Sequence, residues 1–184
     1  MVDTPVQEPT RRDFLYLATG AMAAVGTVAA LIPFVAQMNP DASVQALATT
    51  EVDLSAVQAG QSITVLWRGK PVFVRHRTAE EIEAARAVPL TQLADPVARN
   101  DMLPAAAPAT DENRAVKPEW LIAVGVCTHL GCVPLAYQGD YHGYFCPCHG
   151  SHYDTAGRIR KGPAPQNLEI PHYQFATDTT LRIG

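Results

Sequence analysis

Two short segments carry all four cysteines of the chain: CTHLGC, Cys127 to Cys132, and CPCHGSHY, Cys146 to Tyr153. Each supplies a Cys, a His and a second Cys within a tight loop. The candidate ligands Cys127, His129, Cys146 and His149 read C-x-H, a long gap, then C-x-x-H. Two thiolates and two imidazoles suit a tetrahedral zinc ion. Zinc spacing, however, usually sets Cys beside Cys and His beside His. Here each loop mixes the two and keeps one thiol in reserve, which fits a two-iron cluster better and points to electron transfer.

CTHLGC, CPCHGSHYD and the following GPAP (Gly162 to Pro165) resemble the Rieske iron–sulfur subunit of the ubiquinol–cytochrome c reductase of respiratory chains. The resemblance implies one [2Fe–2S] cluster per chain, with Cys127 and Cys146 on one iron and His129 and His149 on the other. Replacing two thiolates by neutral imidazoles removes two negative charges, so an added electron meets less repulsion. Rieske potentials accordingly lie above those of four-thiolate ferredoxins, by several hundred millivolts as a rough class figure. Each imidazole also leaves one nitrogen free to carry a proton. Electron and proton uptake are thereby coupled at His129 and His149, the two residues expected to act on quinol.

The same resemblance assigns the other residues of the centre. Cys132 and Cys148 would form a disulfide tying the loops together, provided the compartment is oxidising. The hydroxyls of Ser151 and Tyr153 would donate to cluster sulfurs and stabilise the reduced state. Gly131, Pro147 and Gly150 suit tight loops, and Pro163 and Pro165 would stiffen a third loop over the cluster. Leu130, Gly162 and Pro163 are the candidate docking tip. The remaining histidines (His76, His142, His152, His172) lack a partner at metal spacing and read as ordinary residues. The RIRK run, Arg158 to Lys161, reads as a solvated face.

These loops must be positioned by one domain and its attachments. Fourteen Lys and Arg against eighteen Asp and Glu leave a net charge of −4, with no basic stripe, so no nucleic-acid partner is implied. Phe14 to Pro40 contains no charged side chain. That stretch exceeds the roughly 20 apolar residues that span a bilayer, and Gly20, Ala24, Gly26 and Ala30 suit close helix packing. TRRDFL, Thr10 to Leu15, resembles a twin-arginine export signal. A small-residue cleavage site at Ala46 to Ala48 lies well past the apolar segment, so the segment reads as a retained anchor.

The expected organisation is a tail with the export signal over 1–13, a transmembrane anchor over 14–38, a flexible hinge over 39–47 and a Rieske domain over 48–184. NPDASVQA, Asn39 to Ala46, is small and polar, as a linker should be. Ile63–Gly69 and Lys70–His76 read as a hairpin around an Arg-Gly-Lys turn. Glu80–Arg86 reads as a short helix and Asp95–Pro118 as an irregular insertion. Trp120–Cys127 and Tyr141–Cys146 read as strands entering the ligand loops, and two short strands close the chain. The fold class is an all-β antiparallel Rieske domain with an inserted cluster-binding subdomain at about 121–166, behind a single N-terminal transmembrane helix.

Three function classes compete. The first is the electron-transfer subunit of a quinol–cytochrome c oxidoreductase. It would take an electron from ubiquinol and pass it to a c-type cytochrome by domain movement, beside a cytochrome b-type subunit in a dimeric complex. The resemblance places it at a bacterial inner membrane with the cluster domain periplasmic. The second is a soluble-type carrier feeding an oxygenase, which the anchor and the Cys132/Cys148 pair oppose. The third is a membrane-tethered zinc module. The Rieske subunit of another exported oxidoreductase, such as an arsenite oxidase, is the alternative within the first class.

Overall fold

The computed structural model describes residues 9–39 and 48–184. The chain divides into two compact units, 1–45 and 46–184. In the first, helix α1 runs Arg11–Ala36. Thr10 caps it: its hydroxyl accepts the Asp13 N–H, and the Asp13 carboxylate accepts the Thr10 N–H. This capping box starts the helix three residues before the expected Phe14 and places Arg11 and Arg12 in its first turn. The helix passes through Pro33 and ends two residues short of Met38. At 1.5 Å per residue its 26 residues span about 39 Å, against a hydrocarbon core of about 30 Å. None of its residues is buried, and it is long and apolar enough to cross a membrane. The expected hinge, 39–47, lies outside the described residues except for Asn39.

The second unit is built on three antiparallel sheets. β1 (Thr50–Asp53), β10 (Thr180–Ile183) and β9 (Tyr173–Phe175) form one, so the two ends of the unit pair with each other. β2 (Ser62–Trp67), β3 (Lys70–His76) and β4 (Trp120–Val124) form the second, with the expected hairpin at its edge. β5 (Leu135–Ala136), β6 (Tyr144–Cys146), β7 (Ser151–Tyr153) and β8 (Ile159–Lys161) form the third. The expected subdomain boundary at about residue 121 falls inside β4, whose five residues pair with β3. The strand expected from Tyr141 begins only at Tyr144, because His142 takes a left-handed backbone conformation.

β4 is buried at all five positions, so it reads as a continuous apolar run rather than an alternation. Val72, Val74, Leu121, Ile122, Ile159, Leu168, Ile170, Leu181 and Ile183 are wholly buried. Each such side chain contributes about 1.5–3 kcal/mol of transfer free energy. Phe73 of β3 stacks on Tyr144 of β6, centroids 4.6 Å apart, and so fastens the third sheet to the second. Gly125 makes room for that ring: a Cβ there would lie 2.6 Å from Phe73 Cζ.

Helix α2 (Ala79–Arg86) is capped by Thr78 and Glu81 in a second capping box, and Glu81 also pairs with the buried Arg75. The insertion 95–118 holds no helix or strand but is far from loose. Arg114 is wholly buried inside the unit. Its guanidinium donates to the carbonyls of Ala156 (2.9 Å), Gly157 (3.2 Å), Leu168 (2.7 Å) and Ala98. Burial lowers the Arg114 pKa to about 9, which still leaves it cationic at neutral pH. The RIRK run corrects the sequence reading. Arg158 is 1% exposed and Ile159 wholly buried. Arg158 Nε donates to Asp154 (2.8 Å), and its other nitrogens reach the carbonyls of Ala85 (2.7 Å) and Ala109 (3.2 Å).

Candidate metal centre

Three loops meet at one end of the third sheet. The first, 125–134, joins β4 to β5; the second, 147–150, joins β6 to β7; the third, 162–166, follows β8. In the first, the Cys127 N–H donates to the Cys132 carbonyl (2.7 Å) and the Gly131 N–H to the Cys127 carbonyl (2.9 Å). In the second, the Gly150 N–H donates to the Cys146 carbonyl (3.0 Å). Both closures put Gly at positive φ, 83° for Gly131 and 74° for Gly150, as tight loops require. Gly162 is needed for packing as well. A Cβ there would lie 2.4 Å from the Gly150 carbonyl oxygen, so the third loop reaches the second only because that side chain is missing.

The four candidate ligands converge. Cys127 and Cys146 are buried free thiols. The rings of His129 and His149 meet edge to face, centroids 4.6 Å apart. His129 Nδ1 is buried with no hydrogen-bond partner among the described residues. A buried, unpaired imidazole nitrogen is costly unless something ligates it. That orphan, facing a second imidazole beside two buried thiols, fits a metal centre with mixed nitrogen and sulfur ligation.

Cys132 and Cys148 are joined by a disulfide that ties the first loop to the second. Their sulfurs lie within 4.8 Å of the Cys146 sulfur. This trio is no competing ligand set, because sulfurs bonded to each other offer no thiolate. Its meaning is that the disulfide covers the Cys146 thiol directly.

Hydrogen bonds aim at the sulfur. Tyr153, wholly buried, donates its hydroxyl to Cys127 Sγ at 3.3 Å. Burial pushes the Cys127 thiol pKa up. Hydrogen bonds from the Tyr153 hydroxyl, the His129 N–H and the Cys146 and Ser151 side chains outweigh it and hold Cys127 below the usual thiol value. The Cys146 thiol moves the other way, raised by burial and by its bond to Cys127. Tyr153 is raised by burial and by donating to Cys127, so its hydroxyl stays protonated and available as a donor. Ser151 is wholly buried, and its Oγ also accepts the Ala164 N–H (3.2 Å), which pins the third loop to β7.

The candidate tip residues Leu130, Gly162 and Pro163 are all exposed, Leu130 at 71%. Thr128 was not singled out by the sequence, yet it sits at the junction of two loops. Its N–H donates to Tyr153 Oη (3.3 Å), and its hydroxyl donates to the Gln166 carbonyl (2.7 Å). Nothing in its residue type marks it; only its place inside CTHLGC does. Two of the histidines read as ordinary have partners of their own. His76 stacks on Trp120, and His152 Nδ1 accepts the Asp140 N–H (3.1 Å).

Comparison with known proteins agrees with this geometry. Residues 101–174 match the family model described as the Rieske [2Fe-2S] domain. Residues 1–41 match the model described as the ubiquitinol-cytochrome C reductase Fe-S subunit TAT signal. The ubiquinol-cytochrome c reductase iron-sulfur subunit of Bradyrhizobium diazoefficiens is 55% identical over 179 residues, covering 96% of this chain and 95% of that protein. The subunit of the same name from Rhodospirillum rubrum is 57% identical over 186 residues, covering 98% and 95%. Among solved structures, a chain of a hyperthermophilic respiratory Complex III aligns with a TM-score of 0.51 at 28% identity, over 90% of this chain and 98% of that one. Two buried thiols, two facing imidazoles and a covering disulfide, set in a chain this similar over its length, show that it belongs to the family of Rieske iron–sulfur subunits of ubiquinol–cytochrome c reductase.

Proposed function

We propose that the chain is the electron-transfer subunit of a quinol–cytochrome c oxidoreductase, with Cys127 and Cys146 holding one iron of a [2Fe–2S] cluster and His129 and His149 the other. The observation that carries the ligand assignment is the orphaned, buried Nδ1 of His129, facing His149 beside two free buried thiols. When bound, such a cluster supplies a one-electron centre of high potential. The chain's own residues do the rest. His149 is exposed, so its outward nitrogen can accept a hydrogen bond from a quinol hydroxyl and keep the proton. Tyr153 and Ser151 donate toward sulfur and favour the more negative state. The disulfide and the 162–166 loop exclude water from the thiolates.

Leu130, Gly162 and Pro163 form the tip that would dock to a cytochrome b-type subunit at a ubiquinol site and then to a c-type cytochrome. Helix α1 would anchor the chain in a bacterial inner membrane, with the cluster domain on the periplasmic side, where a disulfide persists. The segment 39–47 would serve as the hinge, within a dimeric complex. Iron and acid-labile sulfide analysis of anaerobically purified protein tests the ligand reading. Two of each per chain, with a rhombic EPR signal on reduction, is expected. Stoichiometric zinc without labile sulfide would overturn it.

A further inference from the structure

The insertion 95–118 belongs to none of the cluster motifs, yet one of its residues holds the base of the third loop. Asp95 is 3% exposed. Its Oδ2 accepts the Asn167 N–H (3.0 Å) and Arg99 Nε (2.9 Å), and its Oδ1 accepts the Val97 N–H (3.1 Å). The Asn167 side chain answers: Nδ2 donates to the carbonyls of Asp95 (2.9 Å) and Val97 (2.8 Å), and Oδ1 accepts the Ile159 N–H (2.9 Å). From Asn167 the link to its neighbour Gln166 is the chain itself, and hydrogen bonds resume there toward the centre. The Gln166 carbonyl accepts the Thr128 hydroxyl, the Thr128 N–H donates to Tyr153 Oη, and Tyr153 donates to Cys127 Sγ.

We propose that Asp95 is a positioning residue of the metal centre: by fixing Asn167 it holds Gln166 against Thr128, which orients and polarises the Tyr153 hydroxyl that donates to Cys127. This rests on the reading of Cys127 as a cluster ligand. The physical basis is cooperativity. A hydroxyl whose oxygen accepts a hydrogen bond is a stronger donor in its next one. Burial works against the Asp95 carboxylate, but the bonds from Arg99, Asn167 and Val97 hold its pKa below the usual value, so it stays an anionic acceptor. The insertion therefore acts as the footing of the third loop, which explains why a segment without helix or strand is so heavily hydrogen-bonded.

The sign of one measurement separates positioning from plain electrostatics. Asp95→Asn removes a negative charge, which by Coulomb's law alone favours the reduced cluster and raises its midpoint potential. Loss of positioning weakens the Tyr153 bond and lowers it. The experiment is an EPR-monitored redox titration of the assembled complex carrying Asp95→Asn, in the wild-type and the Tyr153→Phe backgrounds. A fall in potential is expected in the first background and none in the second. Exchange of the Asn167 amide should also accelerate by about tenfold or more, the factor that loss of one charge-assisted hydrogen bond represents. A rise or no change in the wild-type background, or an equal fall in both, overturns the proposal. An unchanged potential in Tyr153→Phe alone shows that the hydroxyl does not act on the cluster and overturns the proposal as well; the ligand reading beneath it fails separately, if the protein holds stoichiometric zinc and no acid-labile sulfide. If Asp95→Asn yields no cluster-loaded protein, Asp95→Glu is read in the same two backgrounds. It keeps the charge and displaces the carboxylate, so a fall confined to the wild-type background is again expected and an unchanged potential overturns the proposal.

Discussion

Tyr153→Phe removes one hydroxyl at the centre. The ring stays, so the packing of a wholly buried aromatic is kept, and the only bond to sulfur that is lost is the one to Cys127 Sγ. A hydrogen bond to a charged group is worth about 1.5–3 kcal/mol. The thiolate accepts it in both oxidation states, so only the difference between the states moves the potential. Taking that difference as about half the smaller figure to half the larger gives roughly 0.7–1.5 kcal/mol. For one electron, about 59 mV corresponds to 1.4 kcal/mol, so the midpoint potential should fall by about 30–60 mV. The change also strips the Thr128 N–H of its acceptor, which should cost about 1 kcal/mol of stability. Redox titration followed by EPR reads the first effect and denaturant unfolding the second. A potential unchanged within about 10 mV, with the EPR signal at wild-type intensity, would show that the hydroxyl does not act on the cluster.

Other parts of the structure give further expectations. Replacing Cys132 and Cys148 by Ser opens a loop whose ends are 16 residues apart; chain entropy puts the loss at about 3 kcal/mol, and bleaching of the cluster's visible absorption under air should quicken. Arg114→Met leaves four carbonyls without their shared donor, and urea unfolding should show a loss of about 3 kcal/mol or more. Because the folded Asp95 has a lowered pKa, its contribution is present above its ordinary value of 3.8 and is lost as pH falls through the lower folded value. Asp95→Asn should therefore flatten the acid limb of stability in pH-dependent unfolding. Val44→Pro combined with Gln45→Pro should leave the EPR signal and potential intact but slow turnover, with a reduced cluster that fails to discharge; wild-type turnover of an assembled complex would remove the hinge from the mechanism.

The parts of this protein that were legible in its sequence are those whose chemistry is local. Four cysteines and two histidines packed into two loops leave few alternatives, and the loops close with bonds only four or five residues long, such as Gly131 N–H to the Cys127 carbonyl. The β2–β3 hairpin and the Thr78 cap are likewise written in neighbouring residues. The pairing of β1 with β10 joins Thr50 to Ile183, and no local pattern announces a partner that far away.

Buried arginine is where local reading goes wrong for a physical reason. A charged residue is expected outside unless paired, and RIRK offers no partner within the run itself. Its partner Asp154 lies four residues before Arg158, while the other acceptors, at Ala85 and Ala109, belong to α2 and the insertion. Arg114 finds its four acceptors between 16 and 54 residues away. In both cases the guanidinium satisfies backbone carbonyls of irregular chain or, at Ala85, of a helix's last turn, which have no helix or sheet partner of their own to rely on. Long-range donors thus do for the insertion and for the chain on either side of β8 what ladders do elsewhere. A rigid site can then rest on segments without secondary structure, and substitutions far from the ligands, at Asp95 or Arg114, should reach the centre through those bonds.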